Sequence, residues 1–164
     1  MSAEPFLLTG GCHCRALRYT LTAPPLGAYV CHCTDCQSLS GAAFAIGVVV
    51  PAPAFTLTGS PRLIRRVLGS GTISHRAICP DCGVWVCGGS KLDALAPDEK
   101  RVVRGGTFDD TSWIRPGEHF WTRSAQPWVV LPQGVTVHAT QCSDFHDARG
   151  CGRSRPGRIY AEGV

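Results

Sequence analysis

Ten cysteines stand in this 164-residue chain, and seven fall into three short groups that constrain its fold more than any other feature. Cys12-His13-Cys14 and Cys31-His32-Cys33 share a C-x-C spacing. Side chains at i and i+2 of an extended strand point to one face, so each pair can present two sulfurs to one ion. His13 and His32 then face the other way and are poor candidates for the same metal. Cys79-Pro80-Asp81-Cys82-Gly83 is a different device, a tight turn whose backbone N–H groups can point at both sulfurs. Pro80 restricts that turn, and Gly83 supplies the conformational freedom that follows it. Such a knuckle is a specific signal for zinc, but it offers two ligands where a closed structural site takes four.

Taking the second pair from Cys12 and Cys14 leaves Cys31, Cys33 and Cys36 as a separate trio. Three clustered thiolates make one of two things. One is a zinc site with an open fourth position, the mark of a catalytic or substrate-binding metal. The other is a second structural site closed by a further ligand such as Cys87 or a histidine. Redox use of Cys33 and Cys36 lacks the βαβ pattern that a thioredoxin-like motif requires. A nucleic-acid ribbon would pair two knuckles close in sequence, whereas 64 residues separate Cys14 from Cys79. Cys87, Cys142 and Cys151 stand apart from the groups.

Compartment decides between metal and disulfide. The N-terminal MSAEPFLLTGG has no basic n-region, and its apolar run, Phe6 to Leu8, is too short for a signal peptide. The longest strongly apolar stretch, Ala42 to Val50, is about half of a membrane span. The expectation is a cytoplasmic protein with no membrane partner, whose reducing surroundings favour metal binding over disulfides. With 44% hydrophobic and 17% charged residues the chain reads as globular, and its length suits one domain. A net charge of +4 is too mild to indicate nucleic acid. Arg149, Arg153, Arg155 and Arg158 instead mark a basic tail, so the expected division is a zinc-binding domain over 1–140 and a tail over 141–164.

Gly and Pro break the chain into short segments, and none keeps an apolar helical period for three turns. Alternation over Ala16 to Thr22 puts Leu17, Tyr19 and Leu21 on one face of a strand. Further strands are expected at Ala28–Cys33, Phe44–Val50, Phe55–Leu57, Arg62–Val67, Thr72–Ile78, Val84–Cys87, Arg101–Gly105, His119–Thr122 and Val135–Ala139. Gly69-Ser70-Gly71 reads as a hairpin turn. Short helical turns are expected at Asp35–Ser40, around Asp109–Trp113 and at Lys91–Leu95. The sum is mainly β.

At these residues the sequence resembles the glutathione-dependent formaldehyde-activating enzymes, a family that includes centromere protein V. The resemblance runs through Gly11-Cys12-His13-Cys14, Cys31-His32-Cys33-x-x-Cys36, Ser40-Gly41-Ala42-Ala43-Phe44 and Arg76-x-x-Cys79-x-x-Cys82-Gly83. A weaker block follows, from Gly105-Gly106-Thr107-Phe108-Asp109-Asp110 and His119-Phe120 to Pro127-Trp128. The resemblance implies a single-domain β-tent fold around a structural zinc held by Cys12, Cys14, Cys79 and Cys82. It also implies a second, catalytic zinc on Cys31, Cys33 and Cys36, hence two zinc ions per chain. The implied activity is that of a zinc-dependent carbon–sulfur lyase joining glutathione and formaldehyde as S-hydroxymethylglutathione, with a small-molecule thiol as partner. A non-catalytic zinc module that binds a thiol or a protein is the alternative.

Arg15 stands where many members carry glycine. With Arg62 and Arg76 it is a candidate for the carboxylates of glutathione. No residue is assigned as general acid; His32 faces away on strand alternation, and Asp35 lies on the turn beside the trio.

Overall fold

A computed structural model describes residues 6–67, 73–89 and 99–141. The strands, in chain order, are β1 (Leu8–Gly11), β2 (Arg18–Leu21), β3 (Gly27–Cys31), β4 (Ala45–Pro51), β5 (Phe55–Thr58) and β6 (Arg62–Val67). They continue with β7 (Ile73–Ile78), β8 (Trp85–Gly89), β9 (Lys100–Arg104), β10 (Glu118–Phe120) and β11 (Thr136–Val137). The α-helix α1 covers Thr34–Ser40, and single 3₁₀ turns cover Ala52–Ala54, Gly105–Thr107 and Thr122–Ser124. The protein is mainly β. No helix among the described residues is long and apolar enough to cross a membrane.

The described residues fall into two compact units, one within the bounds Met1–Pro25 and Val49–Thr111 and the other within Leu26–Val48 and Ser112–Val164. In the first unit β2 lies between β1 and β5, antiparallel to both. The expected alternation holds: Leu17, Tyr19 and Leu21 are buried, each apolar side chain of that size adding roughly 1.5–3 kcal/mol by burial. The Tyr19 ring meets Phe55 at 5.2 Å and Phe108 at 5.4 Å, and its hydroxyl reaches Thr107 Oγ1 at 3.1 Å. This packing explains Gly10 of β1, a strand the sequence pattern does not reveal. A Cβ on Gly10 would lie 2.2 Å from the Tyr19 hydroxyl and 2.3 Å from the Thr107 carbonyl oxygen.

The same unit carries strands ordered β9-β8-β7-β6. β6 and β7 form the expected antiparallel pair, closing at Val67 opposite Ile73. The expected turn Gly69-Ser70-Gly71 falls outside the described residues, as do Lys91–Leu95, Cys142, Cys151 and nearly all of 141–164. Ala77, Val86, Cys87 and Val103 are buried between these strands. A register shift between Ala77 and Ile78 bends β7 just before Cys79.

In the second unit the order is β11-β10-β3-β4. β10 runs parallel to β3, placing Glu118 opposite Tyr29, His119 opposite Val30 and Phe120 opposite Cys31. Tyr29 and Phe120 touch at 5.2 Å on one face. Three expected elements differ here or nearby. The strand proposed over His119–Thr122 stops at Phe120, because Trp121 turns left-handed at φ 58°. The strand proposed over Val135–Ala139 keeps only Thr136–Val137. The helical turn proposed around Asp109–Trp113 is reduced to a simple turn at Ser112–Trp113, and the 3₁₀ turn lies earlier, at Gly105–Thr107. The Asp109 carboxylate is held instead by Arg18 and by the Thr9 hydroxyl, at 2.9 Å from Arg18 Nη1.

Candidate metal centres

The first C-x-C was expected on an extended strand, and the structure corrects this. Cys12 follows β1 directly, and the chain turns there: the Arg15 N–H donates to the Cys12 carbonyl at 3.1 Å, and the Cys12 N–H to the Leu17 carbonyl at 3.0 Å. The turn needs a left-handed residue, and Arg15 fills it at φ 66°. That accounts for glycine being the ordinary choice at such a position. The late knuckle forms as expected. Gly83 is left-handed at φ 74° and its N–H donates to the Cys79 carbonyl at 3.0 Å.

These two turns bring four sulfurs together. Cys12 Sγ and Cys79 Sγ each lie 3.5 Å from Cys14 Sγ, and all four ligand atoms, including that of Cys82, lie within 4.8 Å of one another. Tetrahedral zinc with Zn–S bonds of about 2.3 Å separates its sulfurs by about 3.8 Å, so the quartet has the dimensions of such a site. The Leu17 N–H donates to Cys12 Sγ at 3.2 Å, a contact that favours the thiolate. The backbone N–H groups of Cys14 and Val84 pull the Cys82 thiol down to about 6, against partial burial. The Ala16 N–H likewise lowers Cys14, but the neighbouring sulfurs of Cys12, Cys79 and Cys82 prevail and push it up to about 12. Four sulfurs this close cannot all be ionised side by side without a cation.

Cys31, Cys33 and Cys36 form the second group, with their three sulfurs within 4.8 Å of one another. Cys31 is the buried last residue of β3. Cys33 caps α1, its sulfur accepting from the Cys36 N–H at 3.3 Å, and Cys36 sits in the first turn. The Cys31 and Cys36 thiols, helped by the Cys36 and Asp35 N–H groups, bring Cys33 down to about 2. Cys31 is driven upward by its neighbours Cys33 and Cys36 and by burial. Among the described residues no fourth Cys, His, Asp or Glu joins this trio. Cys87 belongs to the first unit, buried in β8, where burial pushes its thiol up to about 12 against the field of Arg101.

Neither intervening histidine belongs to a sulfur group. His13 is exposed. His32 is wholly buried, with Nε2 3.0 Å from His119 Nδ1 and its ring 5.5 Å from that of Phe44. Burial lowers the pKa of both His32 and His119 and keeps the pair neutral. Of the arginines considered for substrate, Arg15 and Arg62 are exposed, while Arg76 is buried with its guanidinium 4.6 Å from the centre of the Trp85 ring. Arg104 lies 4.3 Å from the same ring centre. Asp35 is half-buried at the start of α1.

Sequence reasoning missed three residues behind the trio: Gln37, Ser124 and His119 in its role as a ring partner. Gln37 and Ser124 both hydrogen-bond the His32 carbonyl oxygen, at 2.7 and 3.1 Å. Gln37 directly follows Cys36, the one hint available. Ser124 and His119 lie 92 and 87 residues from His32, and no local pattern reports such pairings.

The molecule is therefore a mainly β protein with two separate cysteine groups, of four and three sulfurs, each of which could hold a metal ion. The profile of the family described as glutathione-dependent formaldehyde-activating enzyme matches residues 7–124, and the chain belongs to that family. One curated relative, from Phaeosphaeria nodorum, is 33% identical over 79 residues, which is 47% of this chain and 41% of the relative. Its name provisionally describes it as a glutathione-dependent formaldehyde-activating enzyme. The matched region thus spans less than half of that relative's length. Among solved structures, a Rhodobacter sphaeroides protein covers 79% of this chain, and 98% of its own chain is covered, at 18% identity and a TM-score of 0.46.

Proposed function

We propose that this protein is a zinc-dependent carbon–sulfur lyase that acts on the adduct of glutathione, or a related thiol, with a small aldehyde such as formaldehyde. Cys12, Cys14, Cys79 and Cys82 hold a structural zinc in this reading, and Cys31, Cys33 and Cys36 hold a catalytic one. The observation that carries it is the difference in ligand number, four sulfurs in one group and three in the other. A four-sulfur site is coordinatively closed, whereas a three-sulfur site leaves a position for substrate.

Bound to the trio, zinc would supply Lewis acidity and a soft fourth position that favours a thiol in its ionised form. The chain's own residues do the rest by placement. The end of β3 fixes Cys31, and the start of α1 fixes Cys33 and Cys36, so the three sulfurs arrive from one six-residue segment. The Cys36 N–H directed at Cys33 Sγ holds that sulfur as a thiolate. His32 takes no proton-transfer role, since its ring is buried on His119 and Phe44. In the reaction itself the substrate sulfur bonds to the aldehyde carbon, and the carbonyl oxygen gains a proton. The reverse breaks that carbon–sulfur bond and returns the proton.

Exchange NMR of a mixture of glutathione and formaldehyde tests the reading. The expected result is faster interconversion of free glutathione and S-hydroxymethylglutathione with protein present, lost in Cys36→Ser. Uncatalysed exchange at high protein concentration would overturn the lyase reading and favour a non-catalytic zinc module.

A further inference from the structure

We infer that Gln37 and Ser124, with His119, are positioning residues that set the metal affinity and ligand geometry of the Cys31–Cys33–Cys36 site by clamping the one residue between its first two sulfurs; this rests on the reading that the trio holds a metal. In a C-x-C pair the middle residue's backbone determines where the two sulfurs point. Here that residue, His32, is held at nearly every polar atom it has. Its N–H donates to the Phe120 carbonyl at 2.9 Å. Its carbonyl oxygen accepts from Gln37 Nε2 at 2.7 Å and lies 3.1 Å from Ser124 Oγ, which also lies 3.0 Å from the Trp121 carbonyl and shares one proton between the two. Its ring Nε2 meets His119 Nδ1 at 3.0 Å.

The donors are themselves fixed. The second Gln37 amide hydrogen goes to the Ser124 carbonyl at 2.8 Å, and Gln37 Oε1 accepts from Gln126 Nε2 at 2.9 Å. Flipping the Gln37 amide would set its oxygen against two carbonyl oxygens, so only one orientation is compatible with this network. His32 Nδ1 is buried with no partner among the described residues. The ring is therefore anchored through Nε2 alone, at its contact with His119 Nδ1. Trp121, three residues before Ser124, is held in the left-handed region at φ 58°, a conformation costly for a bulky residue. That turn is what delivers Ser124 to the His32 carbonyl. Groups bonded behind a metal's ligands typically change affinity by about 10–100-fold when removed.

The test uses the full zinc-loaded chain. Competition with a chromophoric chelator gives the affinity of each site, and the Co2+-substituted protein gives visible bands that report ligand geometry. Gln37→Leu should weaken the trio by about 10–100-fold and shift its Co2+ bands, with the quartet affinity near wild type. Wild-type affinity and wild-type bands in a folded Gln37→Leu would overturn the inference, as would parallel weakening of both sites. If Gln37→Leu fails to fold, Ser124→Ala decides by the same two readouts, because it removes only the hydroxyl. A wild-type trio that binds neither metal would refute the metal reading itself, and with it the inference, before any variant is compared.

Discussion

Replacing Cys82 by serine removes one of four sulfurs from the group that joins the turn after β1 to the turn after β7. Cys14 and Cys79, which touch across that group, are 65 residues apart in the chain. A metal held by all four cross-links the unfolded chain over that span, and closing a loop of this length is worth about 4 kcal/mol on a chain-entropy model. For a protein of this size each kcal/mol moves the melting midpoint by about 2–4 °C, so Cys82→Ser should lower it by roughly 8–16 °C. The true loss is larger where the metal is lost altogether, because its binding free energy is then removed from the folded state and the buried Cys12 and Cys79 sulfurs lose their partner. Cys36→Ser is the control, since the trio lies within residues 31–36 and ties no distant segments. It should shift the midpoint by only a few degrees and keep the circular dichroism spectrum. A Cys82→Ser protein that melts with wild type, beside a Cys36→Ser protein that unfolds, would refute the division of roles.

Two smaller tests concern the surroundings of the quartet. Arg15 is exposed and left-handed, so Arg15→Gly should stabilise the protein by about 1 kcal/mol, read as a rise in the urea midpoint; a lower midpoint would show that the side chain contributes more than its backbone strain costs. Arg18 and then Thr9 hold the Asp109 carboxyl down at about 2 in the folded protein, against about 3.9 in an unfolded chain. A depressed folded value means that this contact stabilises above about pH 4 and loses its effect as pH falls through 2. NMR titration should find that low midpoint, and Arg18→Ala should return it toward about 3.9; no movement would exclude the arginine as its cause.

Much of this was legible from particular residues. The knuckle Cys79-Pro80-Asp81-Cys82-Gly83 was readable because proline and glycine fix a local turn, and Gly83 adopts the left-handed conformation that turn requires. The β2 alternation was readable because one face is buried. β1 was hidden because its Gly10 answers to Tyr19 and to Thr107, the latter far away in sequence. The first C-x-C was misread as extended because spacing alone cannot distinguish a strand from a turn that Arg15 closes in an unfavoured conformation. His119 was visible only as part of a motif, and its pairing with His32 arises from parallel β3–β10 register, which no local pattern encodes.

X-ray absorption at the zinc edge of the purified protein, combined with metal analysis, tests the central claim most directly. The account predicts two zinc ions per chain, one bound by four sulfurs and one by three with a lighter atom in the fourth position, giving about 3.5 sulfurs per zinc on average. Cys36→Ser should leave one zinc, with four sulfurs. A single zinc in the wild-type protein, or four sulfurs at both, would contradict it.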